Sequence, residues 1–310
     1  MAKKELKNHA LTEKGDKKSW AGTTFGSGWM HRWLIGYLRG PWVLVWWLYI
    51  FEAVFIIPVC LFVNPGGRLL YHYFRRRQGY GRWKSAWKTY VNHYLFGQVV
   101  IDKFAMYAGK QFHITVDGYD YFKALARKPE AFVQLSSHIG NYEVAGYTLD
   151  AEDKRLNALV FFGEKESVME NRKKMFAHTN ISMIPIRPDG SHVFEINDVL
   201  QRGETVSMPA DRVFGSPRTL KKKVLGAEAD LPLGPFSIAT MRGLEVLAVN
   251  VMKDGLRSYH IYVTPLAYDK SADRREQMRQ LSDAYVAELE RMMKLYPEQW
   301  YNYFDFWGDN

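Results

Sequence analysis

The sequence predicts an α/β fold, a mixed sheet flanked by helices, with a helical membrane-associated segment on its N-terminal side. Three observations lead there. From about residue 110 onward, short apolar strand-like runs alternate with helix-like ones, the pattern of a layered α/β domain. From Trp42 to Val63 the chain is almost wholly apolar, at about the length of a bilayer-crossing helix. The 310 residues also carry a formal net charge of +9, which suits an anionic partner: a membrane surface, an acidic protein or nucleic acid.

Composition narrows these options. Ten tryptophans, many of them early and beside basic residues, suit a membrane interface. The aromatics lie in apolar runs and are not interleaved with the basic patches, so no nucleic-acid partner is expected. The single cysteine, Cys60, excludes an internal disulfide and reads as a small buried or lipid-facing residue. The sequence has no metal-ligand cluster, no phosphate-binding P-loop and no dinucleotide fingerprint, so neither a metal nor a bound cofactor is expected.

Residues 1–40 read as a basic, flexible N-terminal segment, lysine-rich as far as Lys18 and without a cleavable signal pattern. Residues 41–108 read as a membrane-associated helical region. Within its apolar run, Glu52 is a costly charge and Pro58 a helix breaker. Arg32 and Arg39 precede the run, and Arg68, Arg75, Arg76, Arg77 and Arg82 come after it. Positive charge on both sides favours both flanks staying cytoplasmic, so a re-entrant or interfacial hairpin fits better than a clean crossing. A true span and a buried helix pair in a soluble protein remain open. From Trp83 to Tyr107, an aromatic stripe at helical spacing predicts an amphipathic helix packed on the α/β domain.

Residues 109–310 read as one domain. Strands are expected at His113–Asp117, Ala131–Ser136, Leu156–Phe162, Ile181–Ile186, Glu204–Met208, Glu245–Met252 and Ser258–Pro265. Helices are expected at Tyr121–Ala126, Val193–Gln201, Phe236–Met241 and from Ser271 to about Tyr296. The last has an apolar stripe through Leu281, Tyr285, Leu289 and Met292. The basic stretch from Arg218 to Val224 reads as a loop.

The chemistry concentrates at Gln134-Leu-Ser-Ser-His-Ile-Gly-Asn-Tyr-Glu143. His138 falls at a strand-to-helix turn, with Glu143 about one turn into the helix. A carboxylate there can accept a proton from one imidazole nitrogen and leave the other free to deprotonate a hydroxyl. Gly140 permits a tight turn, and the helix N-terminus offers N–H groups to an anion. On residue types alone, a hydrogen-bonded structural histidine is the commoner explanation.

This block resembles the first signature of the glycerolipid acyltransferase superfamily. In detail it resembles the Ser-x-His-x-Gly-Asn-x-Glu form of the late acyltransferases of lipid A biosynthesis. Further segments resemble that family in the same order. Ile184-Pro-Ile-Arg187-Pro-Asp-Gly190 places Arg187 where the family has an arginine thought to contact phosphate or the acyl donor. Met208-Pro-Ala-Asp211-Arg-Val-Phe-Gly215 places Asp211 where the family has an aspartate, suited to orient the acceptor or hold the loop. Ala229 to Ala239 resembles the family's next loop and helix, and Tyr296-Pro-Glu-Gln-Trp resembles its C-terminal ending. Two features depart from it: the basic run Arg218–Val224, and a tail of Asn-Tyr-Phe-Asp-Phe-Trp where an arginine-rich tail is usual.

The resemblance implies a glycerolipid acyltransferase-like fold and a membrane-associated O-acyltransferase at the cytoplasmic face of a bacterial inner membrane. It implies His138 and Glu143 as catalytic residues, with Gly140, Asn141, Arg187 and Asp211 binding substrate. The acyl donor would be a thioester of acyl carrier protein or coenzyme A, and the acceptor a hydroxyl of a lipid A precursor. Other acceptors remain open (a lysophospholipid, an aminolipid or a polyene pigment precursor), as does a non-catalytic lipid-binding protein with this fold.

Overall fold

The computed structural model describes residues 28–142, 144, 154–161, 170, 180–187, 189–213 and 218–308. Helical structure begins inside the stretch expected to be flexible, with α1 at Gly28–Leu38. Helix α2 then runs from Trp42 to Val63, 22 residues, long and apolar enough to cross a membrane. Its two awkward residues are both accommodated by the protein. Pro58 has no N–H to donate, and the helix widens into a π turn at Glu52–Ile56 just ahead of it. The Ala53 carbonyl freed by this arrangement accepts the Tyr90 hydroxyl at 2.8 Å. Glu52 is buried, facing α4 (Arg82–Tyr107) at Gly97. A Cβ on Gly97 would lie 2.1 Å from Glu52 Oε2, so glycine is what lets the carboxylate in. A short helix, α3 (Gly66–His72), links the two.

The C-terminal part is built on a seven-stranded sheet in the order β1-β9-β8-β2-β5-β3-β4. Its strands are β1 (His113–Asp117), β2 (Phe132–Ser136), β3 (Leu156–Phe161), β4 (Ile181–Ile186), β5 (Thr205–Pro209), β8 (Glu245–Gly255) and β9 (Ser258–Pro265). All neighbours are parallel except the β8–β9 hairpin. The sheet is therefore mixed, with helices α5 (Tyr119–Ala126), α6 (His192–Gln201), α7 (Leu233–Met241) and α8 (Arg274–Leu295) around it.

Alternation along the central strands divides the core. Phe132, Leu247, Val249 and Val251 pack with Phe122 and Met106 on one face. Val133, Leu135, Ala248 and Met252 pack with Leu281, Tyr285, Leu289 and Met292 of α8 on the other. Helix α8 starts at a capped N-terminus, where Asp273 accepts from the N–H groups of Arg275 and Glu276 at 2.9 and 3.1 Å.

The stretch expected as a basic loop is instead a hairpin of β6 (Thr219–Val224) and β7 (Ala227–Pro232). Two of its lysines meet acidic side chains: Lys221 with Glu228 at 2.5 Å and Lys222 with Asp283 at 2.7 Å.

Candidate active site

Strand register builds the site. β2 and β5 are parallel neighbours with Ser136 opposite Pro209. Two residues further along each chain stand His138 and Asp211, at the carboxyl ends of the strands where α/β sheets place their ligands. Asp211 is fully buried. Its Oδ2 accepts the backbone N–H of His138 at 2.7 Å, and its Oδ1 lies 2.8 Å from His138 Nδ1. A carboxylate at Nδ1 assigns the imidazole proton to that nitrogen and leaves the Nε2 lone pair available. The imidazole is about a quarter exposed.

Neighbouring groups are held as well. The Ser136 carbonyl accepts from Ala210 N–H and from the Tyr285 hydroxyl of α8, both at 3.0 Å. The Ser137 hydroxyl donates to Asn250 Oδ1 at 3.2 Å, and the Asn250 amide donates to Glu288 at 3.0 Å. The C-terminal tail then runs antiparallel to the turn. Tyr301 N–H donates to the His138 carbonyl at 2.9 Å, and Gly140 N–H to the Gln299 carbonyl at 2.8 Å.

Gly140 has φ +65°, and a Cβ there would lie 1.9 Å from the Val251 carbonyl oxygen. The position therefore demands glycine for close approach to β8 as well as for its turn. Asn141 is buried: its N–H donates to that same Val251 carbonyl at 2.7 Å and its side-chain amide to the Tyr259 hydroxyl at 3.1 Å. The N–H groups of His138, Gly140 and Asn141 are all used inside the protein. Gly140 and Asn141 shape the turn and present no donor from these groups to substrate. Asp211, expected at the acceptor or the loop, lies beneath the imidazole and anchors both ring and backbone. Glu143, expected as the imidazole's partner, lies outside the described residues.

Arg187 stands at the end of β4, three strands from β2, on the same edge of the sheet and about 14 Å away by strand spacing. Its guanidinium is two-fifths exposed and lies 3.6 Å from Glu195. The structure does not bring it into contact with His138.

Arg212, adjacent to Asp211, was not singled out by sequence reasoning. Its Nη2 donates to the Tyr301 carbonyl at 2.7 Å, and its guanidinium lies 4.7 Å from the centre of the Phe304 ring. Among the described residues its buried Nε has no hydrogen-bond partner. The only sequence signal was an arginine beside the matched aspartate.

The electrostatics arise from these contacts. Burial, helped by the Arg212 charge, holds the His138 imidazole below its ordinary value against the opposing pull of Asp211. Burial pushes the Asp211 carboxyl up, but His138 and Arg212 more than offset this and keep it below the usual carboxylate range. A neutral imidazole beside an ionised carboxylate is the state of a general base awaiting a proton. Among the described residues, no group of three or more histidine, cysteine or acidic side chains is arranged to hold a metal.

A family model described as "Bacterial lipid A biosynthesis acyltransferase" matches residues 93–305. No curated protein matches the sequence. Among solved structures, the chain is similar to the 1-acyl-sn-glycerophosphate (LPA) acyltransferase PlsC of Thermotoga maritima. The identity is 13%, the TM-score 0.36, and the match covers 84% of this chain and 96% of that one, a likeness too slight to bear on the chemistry.

Proposed function

The chain belongs to the bacterial lipid A biosynthesis acyltransferase family, and on that footing we propose that it is a membrane-associated O-acyltransferase using His138 as general base. The acyl group comes from a thioester of acyl carrier protein or coenzyme A. The acceptor is a hydroxyl of a lipid A precursor.

His138 Nε2 takes the hydroxyl proton as the oxygen attacks the thioester carbonyl. The C–O bond forms, the tetrahedral intermediate collapses, the C–S bond breaks, and the imidazolium returns its proton to the departing sulfur. Asp211 holds the reactive tautomer and stabilises the imidazolium. Among the described residues no nucleophile stands on the imidazole, and the nearby Ser137 hydroxyl is committed to Asn250. Direct transfer without an acyl-enzyme is the route this favours. Arg212 supplies positive charge beside the imidazole for the oxyanion, and Arg187, farther along the sheet edge, for a phosphate of the substrate. Glu143 keeps its place in the proposal through the motif alone.

The exposed apolar side chains of α1 and α2 (Trp29, Trp33, Trp47, Val54, Phe55 and Phe62) support docking to a lipid surface. That surface is proposed to be the cytoplasmic face of the inner membrane, where donor and acceptor meet.

The observation that carries the reading is the His138–Asp211 pair at the carboxyl end of β2. The test offers labelled acyl carrier protein and acyl-coenzyme A, with a membrane lipid extract, to wild-type and His138→Ala protein. A new lipid product that falls at least about a hundredfold in the variant is expected for a lost general base. Equal product from both would remove His138 from the mechanism.

A further inference from the structure

A second fully buried carboxylate, besides Asp211, lies away from the imidazole, where α2 meets the sheet. Asp102, on α4, is fully buried. Its carboxylate accepts hydrogen bonds from the Tyr49 hydroxyl of α2, the Tyr259 hydroxyl of β9 and Lys253 Nζ of β8, the last at 2.5 Å. Lys253 is itself buried, ringed by Tyr49, Tyr259 and Phe112 with ring centres 5.3, 5.0 and 5.7 Å away. Four elements therefore converge on one carboxylate.

Two routes lead from it to the turn just after His138. On the first, the Tyr259 hydroxyl also accepts from the Asn141 amide at 3.1 Å. On the second, the Gln299 side chain clasps the Lys253 backbone. It accepts from its N–H at 2.8 Å and donates to its carbonyl at 2.6 Å. The Gln299 carbonyl then takes the Gly140 N–H at 2.8 Å.

A buried ion pair is a poor device for stability, because a well-packed apolar replacement often does as well. What such a pair supplies is a single permitted arrangement, since each lost partner leaves an enclosed charge undersatisfied. Here one of those partners, Tyr49, belongs to the apolar helix, and two others lead to the catalytic turn. We propose that Asp102, with Tyr49, Lys253 and Tyr259, is a positioning centre that ties the geometry at His138 to the seating of α2 on the catalytic domain. The proposal rests on the acyl-transfer reading of His138. Full turnover then requires α2 in place, and the turn loosens when Tyr49 leaves Asp102.

The test is a double-mutant cycle of Tyr49→Phe and Asn141→Ala in the full chain, using the same thioester donors and lipid extract as the His138→Ala assay. Tyr49 and Asn141 share no direct hydrogen bond; Asp102 and Tyr259 link them, and Lys253, whose Nζ also lies 3.4 Å from the Tyr49 hydroxyl, leads to the same turn through Gln299. Each single variant is expected to lower kcat about tenfold with KM within about twofold, and the double to fall far short of the product of the two effects. Effects that multiply, or an unchanged kcat in Tyr49→Phe, would overturn the proposal. Amide hydrogen exchange at residues 139–142 supplies a readout independent of turnover, and of whether Asn141→Ala folds. It should quicken in Tyr49→Phe while the thermal midpoint stays within a few degrees, and unchanged exchange there also overturns the proposal. Absence of His138-dependent product from the wild type would instead count against the functional reading itself.

Discussion

The Asp211 carboxylate grips His138 twice, at the backbone N–H and at Nδ1, 2.7 and 2.8 Å away. Ring orientation and loop position are therefore set by one buried group. Asp211→Asn should lower kcat by about 10²–10⁴-fold, as expected when the orienting carboxylate of a general base is lost. Glu143→Gln in the same assay compares the motif's own carboxylate. If Asp211 is the partner that matters at Nδ1, its replacement costs more. A larger loss in Glu143→Gln would reassign the role.

The pH dependence has a definite sign. As the proposed general base, His138 acts in its neutral form, and its environment holds it below its ordinary value of 6.5. The acid limb of kcat/KM should therefore have its midpoint below 6.5, with rate rising as pH rises through it and flat near neutrality. Arg212 lowers the imidazole value and Asp211 raises it. Arg212→Met should shift the limb to higher pH, and Asp211→Asn should shift it lower. A midpoint that ignores both substitutions would place the titrating group elsewhere.

Gly140→Ala tests the close approach at the turn. A methyl group would meet the Val251 carbonyl in a left-handed conformation that already strains an L residue. A loss of at least about 2 kcal/mol in denaturant titration is expected, with turnover falling alongside. An unaltered midpoint would show that the turn yields freely.

Docking of the apolar surface is tested by Phe62 and Trp47 of α2, which are 92% and 59% exposed. An aromatic side chain moved from water into lipid gains about 1.5–3 kcal/mol, so Phe62→Asp or Trp47→Asp should weaken binding to anionic vesicles by at least about tenfold. Flotation with unchanged vesicle binding would mean that this face is not the one that meets lipid.

Much of the sheet was legible because its strands carry their own signal. His113–Asp117, Ile181–Ile186 and Ser258–Pro265 fall where apolar runs and turn residues place them. The β6–β7 hairpin was not legible, for two reasons. Its lysine run hides the period of two, and its turn is made by Leu225 and Gly226, both at positive φ, where an asparagine or aspartate would have signalled it. Helix α1 was obscured by the basic stretch preceding it. His138 stood out from its motif and Asp211 from its position after a strand. Their pairing did not, because it depends on β2 and β5 lying side by side, a long-range choice that local sequence does not record. Arg212 offered only its place beside Asp211, and its role became visible through its contacts with Tyr301 and Phe304.

Helix α4 separates a change in sequence character from a place where the protein can be cut. Its Asn92 amide donates to the carbonyls of Glu298 and Trp300 at 2.8 and 2.9 Å, and its Asp102 closes over Lys253. Trimming the chain to residues 109–310 to obtain a soluble fragment would leave a lysine unpaired in an apolar wall and the tail beside His138 without its backing. The hydrophobic N-terminal region is thus no detachable tether. It is one wall of the enzyme, and preparations for study should retain it.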